Sequence, residues 1–216
     1  MKSKPGTFRG INRLAGTLAL PCPLLPGFFA VLVFAGCLSS RSVTPVQLYT
    51  LDPKIETKQF DATELTVGVR PLHAARPYGR PMVTSDDGLK LEVQDFSAWA
   101  EDPRAYLTRA LIDALSATHR FEDAGDASDM SRPDLLLTGE LRKFRENRGA
   151  SPAVAEIEVR LVLREAREKK SVWDEILTAR MPLKGDTPAA LAEAMDIAVA
   201  GIATRAAEAI AEAVPE

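Results

Sequence analysis

The chain has 216 residues, of which 46% are hydrophobic and 26% are charged, and its formal net charge is −3. This composition is typical of a globular protein and excludes collagen-like, low-complexity and multi-span membrane classes. The first 36 residues hold four cations and no acid, so the remainder has 23 lysines and arginines against 30 acids, a charge of −7. An acidic remainder disfavours nucleic acid as a partner, since a basic surface supplies most of that affinity.

Residues 1–36 have the layout of a lipoprotein signal peptide, with a cationic start followed by 23 uncharged residues. A transmembrane helix is the alternative, because the uncharged stretch is long enough to span a bilayer. Pro21, Pro23 and Pro26 argue against it, since each breaks or kinks a helix and the apolar run after them is too short to span. We therefore interpret residues 1–36 as an export signal.

The signal ends in Phe34-Ala35-Gly36-Cys37, which resembles the lipobox of bacterial lipoproteins, usually Leu-Ala-Gly-Cys. The resemblance implies cleavage before Cys37 and acyl chains on Cys37 that hold the protein in a membrane. The alternative is that Cys37 is a buried membrane cysteine. Leu38, where inner-membrane lipoproteins commonly have Asp, favours the periplasmic face of the outer membrane. Residues 37–46 would form a lipidated tether with a reach of about 30 Å.

The exported part, residues 47–216, is predicted to fold without disulfides, because Cys22 leaves with the signal and Cys37 would be acylated. Strands are predicted at 46–51 and 64–69. A proline-bearing loop at 71–81 and a hairpin at 82–93 follow, the hairpin turning at Asp86-Asp87-Gly88.

The second half of the chain has the clearest periodicity. A helix is predicted from Asp102-Pro103 to about His119, followed by a loop at 122–133. Alternating apolar residues predict three further strands, 135–142, 155–164 and 172–181, and Asp186-Thr187-Pro188 begins a last helix that ends near Val214. The predicted fold class is α/β: a single-domain sandwich with a mixed, largely antiparallel sheet of about six strands and two main helices.

No catalytic or metal-binding motif is present. His73 and His119 are far apart in the chain with no cysteine beside either, and nucleophile-elbow, phosphate-loop, zincin and dinucleotide motifs are absent. We expect no cofactor, no metal and no enzymatic activity. A hydrolase that uses a carboxylate pair is the alternative.

Three residues are candidates for a partner interface: Trp99, and Tyr78 and Pro81 in the proline-bearing loop. Rigid aromatic and proline-bearing segments lose little entropy on docking, although buried core anchors would give the same pattern. The basic residues at 142, 143, 145 and 148 suit either lipid headgroups or a solvated strand end.

The order of these pieces resembles the ABC-type transport auxiliary lipoprotein family, the PqiC/YmbA-like group, over about residues 36–214. After the lipobox, the segments that carry the resemblance are Gln47–Leu51, Val67–Leu72, Tyr78–Val83, Trp99–Pro103, the strand from Asp134 to Phe144, and Gly185-Asp186 before the last helix.

The resemblance implies a non-enzymatic auxiliary component of an ABC transporter for lipids that supports envelope integrity. Its expected partner is the MCE-domain tunnel protein of that transporter, and a homo-oligomer is a further candidate. A stand-alone periplasmic lipoprotein, which binds a ligand or assists outer-membrane assembly, is the alternative.

Overall fold

The computed structural model describes residues 44–215; the predicted signal peptide, Cys37 and most of the tether lie outside these residues. Nine strands and two helices follow in chain order. They are β1 (Gln47–Tyr49), β2 (Thr66–Val69), β3 (His73–Ala74), β4 (Pro81–Ser85), β5 (Glu92–Trp99), α1 (Pro103–Ala117), β6 (Asp123–Asp126), β7 (Leu135–Asn147), β8 (Val154–Glu165), β9 (Ser171–Pro182) and α2 (Pro188–Ala213).

The strands β7, β8 and β9 form the long antiparallel part of the sheet. Pairing between β7 and β8 runs from Leu135 opposite Glu165 to Asn147 opposite Val154, with one irregularity after Leu141. Alternate apolar side chains on these strands are fully buried, because a period of two places them all on one face. Those with no exposed surface are Leu137, Leu141, Ala155, Ile157, Val159, Leu161 and Leu163.

The other edge of β7 carries three short parallel pairings. The amino-terminal end of β7 pairs with β2, its middle with β3 and its carboxyl end with β4. Strand β6 extends the sheet beyond β2. Strand β5 pairs with β4 as a hairpin, and β1 lies parallel to β5 at that edge. The sheet is therefore open and mixed, with strands of very unequal length.

Both helices begin as predicted, with a capping side chain followed by proline. Asp102 accepts from the amide of Arg104 before α1, and Thr187 accepts from the amide of Ala190 before α2. Helix α1 contacts β2 and β6, α2 contacts β8 and β9, and the two helices contact each other, which places both on the same side of the sheet. Within residues 44–215, no helix has the length and apolarity needed to cross a membrane.

Residues 50–65, here called the strap, join β1 to β2 without forming a helix or a strand. The strap is ordered by hydrogen bonds to the two helices instead. Its amide and carbonyl groups bond to side chains of α2 and to the backbone after α1. The pairs are Asp52 N–Asp196 Oδ1 at 2.7 Å, Glu56 O–Thr204 Oγ1 at 3.0 Å, Lys58 N–Glu208 Oε1 at 3.0 Å, Phe60 N–Thr118 O at 2.9 Å and Thr63 N–Arg120 O at 2.8 Å.

The mixed α/β class and the two helices agree with the sequence analysis, but the strand count does not. Nine strands replace the predicted six or so, and the sandwich is not confirmed. Two of the extra strands, β3 and β6, lie in segments predicted as loops. They have two and four residues, and β6 reads Asp-Ala-Gly-Asp, so neither carries a periodic apolar signal. Both are parallel strands held by their neighbours in the sheet.

Candidate functional site

The histidines and acidic side chains of the described residues form no metal site. No group of three or more His, Cys, Asp or Glu side chains between residues 44 and 215 is placed to hold a metal ion. His73 is exposed on β3, and His119 follows the end of α1 with a left-handed φ of 56°. The two histidines lie on separate elements and belong to no shared site.

Trp99 belongs to the core. Its side chain is 1% exposed and meets the ring of Phe144 edge to face, with the centroids 5.3 Å apart and the planes at 77°. This arrangement is favourable for two aromatic rings. Strand β5 places Trp99 on the buried side of the sheet, so its ring offers almost no area to a partner in this conformation.

Tyr78 is also buried, at 7% exposure, and lies beside the charged side chains of Arg145 and Glu156. Burial raises the pKa of the Tyr78 hydroxyl, and the charge of Arg145 opposes that rise. Tyr78 therefore covers a polar cluster on the outer side of the sheet. Pro81 differs from both aromatics, because it is exposed at the start of β4, opposite Ala98.

The centre of that polar cluster is the carboxylate of Glu156, whose side chain is 5% exposed. It accepts from Arg145 Nε at 2.8 Å and Arg180 Nη2 at 2.9 Å, with Lys143 Nζ at 3.9 Å. Burial by itself raises the pKa of this carboxyl, but the hydrogen bonds from Arg180 and Arg145 and the nearby positive charges outweigh burial and hold the pKa below its usual value.

The four basic residues identified in the sequence are therefore committed to ion pairs. Arg142 Nε lies 3.2 Å from Glu140, Lys143 Nζ lies 2.7 Å from Glu158, and Arg148 Nε lies 3.0 Å from Glu146. Together with the Arg145–Glu156 pair, the contacts of Arg142 and Lys143 stabilise the outer face of the sheet, and the Arg148–Glu146 pair stabilises the end of β7. They leave little unpaired positive charge there for lipid headgroups.

The structure contains a feature that sequence reasoning missed, an open groove of about 540 Å³ beside the first turns of α1. We call it the α1 groove. Pro71 and Leu72 form one wall, and Ala105, Thr108 and Ile112 of α1 form another. The Thr108 hydroxyl accepts from the amide of Leu72 at 3.3 Å, which fixes the loop against the helix.

Two ion pairs lie at the rim of the α1 groove, and the carboxylate of Asp126, which accepts hydrogen bonds from Ser128, also lines it. Arg104 Nη2 lies 2.7 Å from Asp102, and Arg109 Nη2 lies 2.9 Å from Glu101. The hydrogen bond from Arg104 holds the pKa of Asp102 below its usual value. The apolar floor beneath this rim suits the binding of an apolar side chain or chain segment.

One sequence signal could have pointed to the α1 groove. The apolar stripe that predicts the buried side of α1 runs through Leu107, Leu111 and Leu115, and Ile112 lies off that stripe yet is half-buried. An apolar residue off the main stripe indicates a second surface on a helix. The wall at Pro71 and Leu72 could not be assigned, because only the fold brings residues 30 to 40 positions apart together.

Comparison with known structures supports the fold. Protein XCC0632 from Xanthomonas campestris, assigned to the DUF330 family model, superposes with a TM-score of 0.68 at 19% identity, covering 77% of this chain and 96% of that one. A second crystal structure, of an uncharacterized protein, gives a TM-score of 0.54 at 14% identity, covering 73% and 98%. These likenesses establish a shared fold.

A weaker likeness, with a TM-score of 0.43 at 11% identity, is to the PelC dodecamer from Paraburkholderia phytofirmans, covering 69% of this chain and 91% of that one. No curated protein matches the chain in sequence. The family model described as "ABC-type transport auxiliary lipoprotein component" matches residues 49–207, from the end of β1 almost to the end of α2. The chain therefore belongs to the ABC-type transport auxiliary lipoprotein family.

Proposed function

We propose that the protein is an outer-membrane-anchored, non-catalytic auxiliary component of an ABC/MCE-type lipid transport system that supports envelope integrity. The family match over residues 49–207 carries this proposal. The paired charges and the apolar floor of the α1 groove support a binding role.

The anchor in this proposal is Cys37, with acyl chains on its thiol and on the amine freed by cleavage. Two or more acyl chains give stable membrane attachment, each buried methylene contributing about 0.8 kcal/mol. Cys37→Ser should abolish fatty-acid labelling in cells and leave the precursor uncleaved. Cys22→Ser is the matched control and should change neither. Incorporation of labelled fatty acid into the Cys37→Ser protein would contradict the proposal that Cys37 is the anchor.

The outer-membrane location is tested by separating the two membranes on a density gradient. Leu38 follows the proposed acylation site, so the protein should sediment with outer-membrane markers. A Leu38→Asp variant should move toward inner-membrane fractions. Wild-type protein found wholly in inner-membrane fractions would contradict the outer-membrane location and leave Cys37 acylation intact.

The partner in this proposal is the MCE-domain tunnel protein, and its contact on this chain is the α1 groove with the adjoining loop 71–81. The groove is open, lies beside a rigid helix start and includes the exposed side chain of Ala105. A contact site on preordered backbone loses little entropy on docking.

A photo-crosslinking amino acid at Ala105, incorporated in cells, tests this contact. Ala189 is a matched control, because it is also an exposed alanine in the first turn of a helix that begins with proline. The probe at Ala105 should capture the MCE-domain protein and the probe at Ala189 should not. Repeated failure at Ala105, with an MCE protein encoded nearby and expressed, would contradict the proposal.

A stand-alone ligand-binding lipoprotein is the second candidate, and the groove volume of about 540 Å³ favours it, since small-molecule sites span roughly 300–1,000 Å³. The neighbouring genes separate the two candidates: an ATPase, a permease and an MCE-domain protein favour the transport system. Capture of a second copy of this chain by the probe at Ala105 would instead indicate a homo-oligomer.

A further inference from the structure

Exposed apolar side chains concentrate in one part of the molecule. Seven large hydrophobic residues of the described chain are at least half exposed, and five of them lie on β1, just before it, or on the β4–β5 hairpin. We call these five the hairpin patch: Val46 at 52%, Leu48 at 58%, Leu89 at 90%, Val93 at 51% and Phe96 at 55%. The other two, Ile176 on β9 and Ile197 on α2, lie on separate elements.

Leu89 is the most exposed of the five, and it sits on a turn that is held rigidly. Asp87 Oδ1 accepts from the amides of Leu89 and Lys90, each at 2.8 Å. Ser85 Oγ accepts from the Gly88 amide at 3.0 Å and donates to the Lys90 carbonyl at 2.7 Å. The turn requires glycine at position 88, where φ is +80°. The protein therefore fixes the backbone that presents an apolar side chain to the solvent.

The register of β1 places part of the patch on one surface. Leu48 pairs with Ala98, so continuing the parallel register sets Val46 opposite Phe96. Partners in a ladder share a face, and residues two positions apart on a strand share it too. The side chains of Val46, Leu48 and Phe96 therefore lie together on the outer face at the sheet edge. Each is more than half exposed, so no other part of the described chain covers them.

The direction of β1 shows at which end of the sheet the chain enters the domain after the proposed anchor, Cys37. Strand β1 runs parallel to β5, and β5 starts just after the turn that carries Leu89. The chain therefore enters β1 from the end of the sheet at which that turn lies. Val46 is nine positions after Cys37, a reach of about 30 Å at most. The α1 groove lies at the opposite end, since α1 begins four residues after β5 ends.

From this placement we infer that the hairpin patch rests on the lipid surface that holds the acyl chains of Cys37, with Leu89 inserted deepest. The inference rests on the proposed lipid anchor. Anchoring keeps the patch within reach of the bilayer, and burial of Val46, Leu48 and Phe96 on their shared face, together with Leu89 at the turn, then favours contact. The α1 groove faces away from that bilayer, toward a structure that bridges the periplasm.

The charges near the turn that carries Leu89 determine how membrane contact should depend on the charge of the lipid headgroups. Asp86, Asp87 and Glu92 flank it. Lys90 is paired with Glu92, and Arg145, which donates to the Gly88 carbonyl at 3.3 Å, is paired with Glu156, so the negative charges of Asp86 and Asp87 predominate. Because the turn that carries Leu89 is acidic, anionic headgroups do not attract it. Insertion should therefore be driven by the burial of apolar side chains. Contact should therefore be at least as strong on zwitterionic vesicles as on vesicles that contain anionic lipid.

The experiment uses mature, acylated protein reconstituted into phosphatidylcholine vesicles, with a fluorescent label on one introduced cysteine. The acylated chain offers no other thiol, because Cys22 is removed and Cys37 is modified. Labels at Leu89→Cys and Phe96→Cys should be quenched by lipid-attached quencher and shielded from an aqueous quencher. The label at Ile176→Cys, an apolar position that is 54% exposed on β9, is the matched control and should show the reverse.

Three outcomes would overturn the inference. If the protein floats with the vesicles but Leu89→Cys is as accessible to water as Ile176→Cys, the lipid contact is wrong while the anchor stands. If Leu89→Cys is shielded from water but not quenched from the lipid, another protein surface covers it. Quenching that appears only when phosphatidylglycerol is added would replace apolar insertion with charge attraction. Failure of acylated protein to float would instead contradict the proposed anchor.

Discussion

The strap and the β7–β9 strands are both ordered, but by different means. In β7–β9, all residues except those at two register shifts join a backbone ladder, and alternate apolar side chains pack into the core. The strap has no strand pairing, and its amides and carbonyls bond to Asp196, Thr204 and Glu208 of α2 and to the backbone after α1. The β7–β9 strands are held by regular backbone pairing and core packing, and the strap is held by a few individual hydrogen bonds.

This difference predicts where the molecule is cooperative and where it opens locally. Loss of a core side chain from β7–β9 should lower the stability of the whole fold. Loss of one exposed strap contact should open only the strap, since regions with few buried apolar contacts open at lower free energy than core strands.

The largest expected effect is a cavity in β8. Leu161 has no exposed surface, so Leu161→Ala should lower the free energy of unfolding by about 2–5 kcal/mol. Ile176→Ala, on the neighbouring strand at 54% exposure, should change it by about 0.5 kcal/mol or less. Urea unfolding followed by tryptophan fluorescence measures both. Equal effects would mean that the outer face of β9 is covered in solution.

The second-largest expected loss of stability is at Arg120, which joins the strap to the ends of both helices. Its Nη1 donates to the Asp61 carbonyl at 2.7 Å and its Nη2 to the Val214 carbonyl at 2.7 Å. Arg120→Ala should cost about 2–3 kcal/mol, because two carbonyls lose charged donors.

Arg205→Ala is the control for Arg120, since Arg205 also donates to a backbone carbonyl, that of Thr178, but is exposed. It should cost less than about 1 kcal/mol in the same urea experiment. An Arg120→Ala protein with unchanged stability would show that the strap is not coupled to the global fold.

A third effect depends on pH and concerns Glu156. Because its pKa is lowered in the folded protein, Glu156 contributes stability above its usual pKa of 4.5, and that contribution is lost as pH falls through the lower folded value. Glu156→Gln should cost about 1–2 kcal/mol at pH 7.

The cost of Glu156→Gln should shrink steadily below pH 4.5 in unfolding experiments at a series of pH values. Glu175→Gln, at an exposed position of β9, is the control and should cost about 0.5 kcal/mol or less at pH 7. A cost that stays constant from pH 7 to pH 3 would contradict the role of the ionised carboxylate.

The smallest effect is local to the strap. Glu208 accepts from the Lys58 amide at 3.0 Å, and Glu208→Ala should lower global stability by only about 0.5 kcal/mol. Hydrogen exchange at Lys58 and its neighbours should nevertheless accelerate, while β7 and β8 amides stay protected. Glu212→Ala, four positions along α2, is the control and should leave the strap amides unchanged. Faster exchange in β8 would make the strap part of the cooperative core.

The same contrast explains what could be predicted from the sequence. The alternation in β8, from Ala155 to Leu163, and the Asp-Pro and Thr-Pro starts of α1 and α2 are local signals that give the correct elements. Strands β3 and β6 and the strap carry no such signal, because their partners are 50 or more positions away or are parallel strands.

For the candidate site, too, local sequence signals are informative and contacts between residues distant in the sequence cannot be predicted. Trp99 and Tyr78 are large aromatic residues and therefore candidates for an interface, but the sequence does not show which face of the sheet they occupy. In the structure, both side chains are buried. Pro81 is exposed, as an interface requires. The α1 groove depends on contact between Leu72 and Thr108, 36 positions apart, so only the assembled fold reveals it.

The strap also sets an order of events during synthesis. It is synthesised well before α2, the helix that holds it, because α2 begins only at Pro188. Until α2 has formed, the amides of Asp52 and Lys58 lack the side chains that accept from them. The amino-terminal part of the domain therefore cannot reach its final state before α2 is available.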